Sequence, residues 1–252
     1  MSLLQQFFGP PSVERLQADG DVDALLDALD RHAAACRATI EALGEVGDER
    51  AVETLITFFR SQEMREAALK ALGQIGGEEA QAELLRALRY NELPQSAADS
   101  LVAVGESAVA PLLDLLSLDD LEVRWAAAGA LGQVGVPAVD PLIAALDDCD
   151  VDVLPTVVWA LGQTGSEEAV APIMDLLDHE NGDVQLIAVK ELAELGDRRA
   201  LGPLVEMLVE RAGDDEALSE AIVETLETLT GQAFETVQAW RQWWEAREGG
   251  NS

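Results

Sequence analysis

Apolar residues recur along this chain at helical spacing, in short blocks that close on glycine. The clearest are ALGEVG at 42–47, ALGQIG at 71–76, SLVAVG at 100–105, ALGQVG at 130–135, ALGQTG at 160–165 and ELAELG at 191–196, with a weaker TLETLTG at 225–231. Measured between their leucines (Leu43, Leu72, Leu101, Leu131, Leu161, Leu192 and Leu226), the steps are 29, 29, 30, 30, 31 and 34 residues. A near-constant period over most of a chain predicts stacked copies of one supersecondary unit. Between the anchors lies a second periodic segment, seen as AVETLITFF from Ala51, AVAPLLDLL from Ala108, AVDPLIAAL from Ala138, AVAPIMDLL from Ala169 and ALGPLVEML from Ala200. Pro111, Pro141, Pro172 and Pro203 recur early in it, where a helix tolerates a missing N–H. Each unit is therefore predicted as helix A, an acidic turn such as DDCD at 147–150, and helix B. The second glycine of each closing pair falls where a helix ends in a positive-φ residue. One such hairpin cannot bury both its apolar faces, so its stability must come from stacking on neighbours.

The same register predicts which side chains of helix B point away from the stack. Counting back from the anchor leucine at about 100° per residue, positions −3, −4, −7 and −8 share the leucine's face, and −2, −5 and −6 lie opposite. Position −6 reads Arg37, Glu66, Gln95, Trp125, Pro155, Leu186, Glu220, and position −2 reads Glu41, Lys70, Asp99, Gly129, Trp159, Lys190, Glu224. Position −5 reads Ala38, Ala67, Ser96, Ala126, Thr156, Ile187, Ala221. The outward face is thus apolar in its middle and charged at its ends.

The pattern AVxPLLxLLxxxxxxVRxAAAxALGxxG resembles the HEAT-repeat superfamily, and its short unit is most similar to the variety named for the phycobilisome (bilin) lyases. The resemblance implies an all-α, right-handed α-α superhelix of about seven hairpin repeats over 21–231, with the B helices lining its concave side. Residues 1–20 then read as an N-terminal cap with Phe7 and Phe8, and 232–252 as a C-terminal capping helix and tail. In that tail Val237, Trp240 and Trp244 fall on one face, and Phe234, Trp240, Trp243 and Trp244 read as structural. One departure stands out: the arginine of VR, which in the family helps lock adjacent units, is present only as Arg65 and Arg124. Cys36, Pro94, Leu154, Gln185 and Ser219 replace it elsewhere, so bonding between repeats must be partly different.

Charge narrows the partners. Against 48 acidic residues stand 16 basic ones, a formal net charge of −32. Nucleic acid and anionic membrane are disfavoured, since both need a basic surface. Such a surface repels itself and is relieved by counter-ions, which fits a high-salt cytoplasm; the melting temperature is then expected to rise with added KCl, and a flat response removes that reading. The opening MSLLQQFFGPP has no basic segment of the secretory kind and no apolar run approaches the ~18 residues that span a bilayer, so the expectation is a cytoplasmic protein.

Catalysis finds little material. The two histidines are His32 and His179. His32 and Cys36, spaced i, i+4, lack the further ligands a metal needs, and Cys36 reads as a small inward thiol. His179 lies in the turn DHENGD, and no phosphate-cradling loop opens a helix. The expectation is a non-enzymatic scaffold with no cofactor, no metal and no catalytic residue. It would bind another protein of basic or mixed charge through Trp125, Gly129, Pro155, Trp159, Leu186 and Ile187, flanked by Lys70 and Lys190. An exposed cluster rich in tryptophan is the mark of a binding site; rings lying flat in gaps between B helices would instead make both tryptophans structural. The alternative that the resemblance implies is a bilin lyase or tetrapyrrole-binding accessory protein, which would show a visible-band shift on taking up bilin.

Overall fold

The structure, a computed structural model, describes residues 12–31, 36–61, 64–211 and 215–248, and among these the chain is α-helix and short 3-10 turn with no strand. The cap predicted on Phe7 and Phe8, His32 and the side chain of Cys36 lie outside the described residues. The chain divides into two compact units, one of residues up to 115 with 120–130, the other of 116–119 and everything from 131. The first contains α1 (Val13–Asp19), α2 (Val22–Arg31), α3 (Cys36–Val46), α4 (Val52–Arg60), α5 (Arg65–Ile75), α6 (Glu78–Arg89), α7 (Pro94–Val104), α8 (Val109–Leu115) and the start of α9 (Leu121–Val134). The second contains the end of α9, then α10 (Val136–Asp148), α11 (Leu154–Gln163), α12 (Val170–Asp175), α13 (Gly182–Leu195), α14 (Leu201–Glu210), α15 (Glu216–Thr230) and α16 (Val237–Glu248).

Each hairpin closes on its anchor. All seven anchor leucines are fully buried, as are the alanines that open the A segments, Ala51, Ala108, Ala138, Ala169 and Ala200. Most A helices start with a 3-10 turn ending on that alanine, which places Pro111, Pro172 and Pro203 third in α8, α12 and α14. Pro141 departs from this. Val136 and Pro137 stand where the other repeats have the 3-10 turn, so α10 begins earlier and Pro141 falls inside it. The helix-ending glycines have positive φ, but not all are the left-handed helical residue predicted. Gly196 is (φ 70°, ψ 12°), whereas Gly105 (φ 82°, ψ −141°) occupies a region open essentially to glycine alone.

The first glycine of the pair has a different task. In the first unit α3 packs on α5 and α5 on α7; in the second α11 packs on α13 and α13 on α15. At Gly73 a Cβ would lie 2.6 Å from the Ser100 carbonyl oxygen and 2.9 Å from the Ser100 Cα, so the bare backbone is itself the surface on which α7 rests. The edge of a B helix that bears −1 lies against the preceding B helix, at Ala71, Ser100, Ala160 and Glu191. The outward placing of −5 is corrected at four of its seven positions: Ala67, Ala126, Thr156 and Ala221 are buried, whereas Ala38 is exposed and Ser96 and Ile187 are half-buried.

Links between repeats replace the missing arginines. Gln185, buried in the slot of the VR arginine, donates from Nε2 to the Leu177 carbonyl (3.0 Å) and accepts from Arg211 in the next repeat (3.3 Å). At the turn into helix A, Asp48 holds Arg50, which reaches back to Asp23 (3.0 Å). Asp197 likewise holds Arg199, which reaches the Glu167 carbonyl (3.2 Å). In each case the carboxylate also accepts a backbone N–H, of Arg50 or Arg199, and its pKa lies below the usual range because the arginine bonds its charged form. Arg65, which does occupy the VR slot, lies over the Phe59 ring and 3.9 Å from Glu92.

At the C-terminal end α16 packs on α14. Trp240 is fully buried, with Phe234 edge-on at 4.8 Å and Trp243 at 5.7 Å; Val237 and Trp244 are half-buried.

Candidate binding surface on the B helices

A B helix packed on both edges and buried along its anchor face leaves one strip uncovered, at −6 and −2. In the first unit Arg37, Glu41, Glu66, Lys70, Gln95 and Asp99 are exposed there. Trp125 is 42% exposed and Gly129 half-buried. Lys70 lines a shallow cavity of about 480 Å³ with Glu66, Gln74, Ser96 and Asp99. In the second unit Pro155, Trp159, Leu186 and Ile187 are half-buried and Lys190 is exposed.

Three of the predicted residues meet in one place. Trp159 from α11 and Ile187 and Lys190 from α13 line a cavity of about 580 Å³, which Ala221, Glu224 and Thr225 of α15 close on the far side. Pro155 and Leu186 are not among its lining residues. Half-buried Trp159 and Ile187 give its lining an apolar part, while Glu194 and Glu224 are exposed at its margin.

The same cavity contains a residue that position counting passed over. Glu191 stands at −1, where other B helices have Ala42, Ala71, Ala130 and Ala160, and it is only 3% exposed. Room for it comes from Gly162: a Cβ there would lie 2.7 Å from the Cβ of Glu191 and closer still to its carboxylate. Gln163 Nε2 donates to Oε2 at 3.1 Å. Burial pushes the carboxyl up to about 7, against the bond from Gln163 and helped by the negative Glu194 one turn on. The available signal was a charged residue in a position that holds alanine, or Ser100 and Thr225, in the other B helices.

The remaining candidates fall elsewhere. His179 is half-buried before α13, and its Nδ1 accepts the Asn181 backbone N–H (3.1 Å). Among the described residues no group of three or more His, Cys, Asp or Glu could hold a metal ion, and no helix is long and apolar enough to cross a membrane.

Stacked helical hairpins with the B helices packed edge to edge define a helical-repeat solenoid. The profile of HEAT repeats matches residues 22–102, 90–154 and 139–227, and the chain belongs to the HEAT-repeat family. Among solved structures it is similar to human deoxyhypusine hydroxylase in complex with glycerol, at 22% identity over 87% of this chain and 89% of that one (TM-score 0.40). It is similar also to the complex of CpcE and CpcF of phycocyanin lyase from a Nostoc species, at 21% identity over 86% and 85% (TM-score 0.38). A third is a designed armadillo repeat protein in complex with the peptide (KR)4, at 20% identity over 71% and 99% (TM-score 0.40). No curated protein matches the chain.

Proposed function

We propose that this protein is a non-catalytic scaffold that binds a basic or mixed-charge polypeptide on the B-helix face of its second unit. The observation that carries the reading is the cavity between α11, α13 and α15, with Trp159 and Ile187 for apolar side chains and glutamates around them. An aromatic anchor in a partly desolvated pocket with a polar rim is the arrangement that concentrates binding energy in protein interfaces. The formal charge of −32 favours approach of cationic segments and repels acidic ones. Trp125, exposed in the first unit, is proposed as a separate contact there.

The test is to pan a random dodecapeptide display library on the immobilised protein and to measure enriched peptides by fluorescence polarisation on wild type, Trp159→Ala and Ile187→Ser. Cationic peptides are expected to be enriched, and their affinity to fall by about tenfold or more in both variants, an interface anchor's share. Melting should shift by no more than about 1–2 kcal/mol equivalent. Enrichment of acidic peptides, or equal affinity on Trp159→Ala, would overturn the reading.

A further inference from the structure

The stack itself has no use for a carboxylate at 191. Alanine fills the equivalent place in α3, α5, α9 and α11, and a buried carboxyl without a cation opposes folding rather than aiding it. Gly162, in the register of Gly44, Gly73 and Gly132, leaves a bare backbone on α11 over which Glu191 lies, and Gln163 holds one carboxylate oxygen by a neutral bond. Across the same cavity stands the indole of Trp159. A held carboxylate and an aromatic ring lining one cavity, with more negative charge at the rim, together specify a planar organic cation.

Resting on the groove reading above, we infer that this cavity is a guanidinium site, in which an arginine side chain of the bound polypeptide lies along Trp159 and pairs with Glu191. Arginine fits better than lysine because its flat, weakly hydrated fork both stacks on an aromatic ring and offers parallel N–H donors to one carboxylate. A metal ion fits poorly, since the buried donors facing the space are one carboxylate and the Thr225 hydroxyl, and the Gln163 amide beside them is exposed. Glu194 and Glu224 at the margin draw the cation in, and Lys190, also at the margin, disfavours a second one.

Binding then couples to protonation. The groups facing Glu191 are Lys190 and Glu194 on its own helix and Glu224 on α15; α11 contributes only the neutral Trp159 and Gln163. With a carboxyl at about 7 the free protein is largely protonated there at pH 6 and largely ionised at pH 8, whereas the guanidinium complex holds the ionised form. Arginine entry therefore expels a proton below neutrality, and affinity rises by about tenfold from pH 6 to pH 8, the ratio of the competent fractions.

The experiment is calorimetric titration of the full chain with a capped peptide alternating leucine and arginine, and with its citrulline counterpart, at pH 6 and pH 8 in two buffers of different ionisation enthalpy. Wild type should bind the arginine peptide about tenfold tighter at pH 8, release protons at pH 6 and ignore citrulline. Glu191→Gln, which keeps the side chain's shape, should melt no lower than wild type at pH 8 and lose both the affinity and the pH dependence. Equal binding of arginine and citrulline peptides, or a pH slope unchanged in Glu191→Gln, overturns the guanidinium site. If in that case binding is still lost in Trp159→Ala, the groove reading stands alone; if no peptide, including those recovered by panning, depends on Trp159, both fall.

Discussion

Trp240→Ala is expected to unfasten the C-terminal end of the second unit at a cost of about 3–5 kcal/mol, the range for removing a buried aromatic side chain. The ring is fully buried between Phe234 and Trp243, and α16 that bears it lies against α14. At α14, Gly202 leaves space that a Cβ would fill to within 3.0 Å of the Trp244 ring, so the two helices meet closely at that point. A terminal repeat in a solenoid has one neighbour only, and loss of its cover exposes an apolar face that interior repeats never show. Hydrogen exchange should accordingly report lost protection in α14, α15 and α16 before any change in the first unit. Trp240→Phe separates packing from polarity: it keeps most of the contact and removes an indole N–H that has no acceptor in the interior, so it should lose far less. Near-wild-type exchange in Trp240→Ala would mean that α16 does not act as a cap.

Gly73→Ala should destabilise the first unit by about 1–3 kcal/mol, although alanine is the better helix former. The added methyl meets the backbone of Ser100, its carbonyl oxygen and Cα, and no rotamer change can relieve that. The double variant Gly73→Ala/Ser100→Gly should therefore recover little stability, since it removes only the Ser100 side chain. Gly182→Ala is the matching control: nothing lies within 4 Å of its added Cβ and its φ is ordinary, so it should be neutral or slightly stabilising. Thermal melts of the three variants decide the matter. A Gly73→Ala protein as stable as Gly182→Ala would show that the B helices do not depend on that close approach.

The two glycines of each closing pair show where sequence reading succeeds and where it stops. The second glycine was legible because a helix end and a positive φ are local properties, visible in a few residues. The role of the first was not, since it depends on how near the next B helix comes. The predicted strip at −6 and −2 is uncovered as counted, while −5 is covered at Ala67, Ala126, Thr156 and Ala221 and not at Ala38 or Ile187, because the angular wheel treats a helix as having one buried face and these helices also pack along their edges. Trp159, Ile187 and Lys190 were found by register and do line one cavity; Pro155 and Leu186 shared the register but not the cavity. Glu191 was missed because a glutamate in an acidic chain reads as one more solvated charge until its neighbour is known.

What the sequence determined by itself is the repeat: its period, the helices, their ends, and the leucines and alanines on which each hairpin closes. These follow from short-range sterics and from apolar spacing within a single helix, and every repeat states them again. Only the tertiary structure decided which edge the neighbouring helix covers, that Gly73 and Gly162 are contact surfaces, and that Glu191 is a buried carboxylate in the cavity that Trp159 lines. Those outcomes depend on the distance between helices one repeat apart, which packing sets and no local pattern encodes.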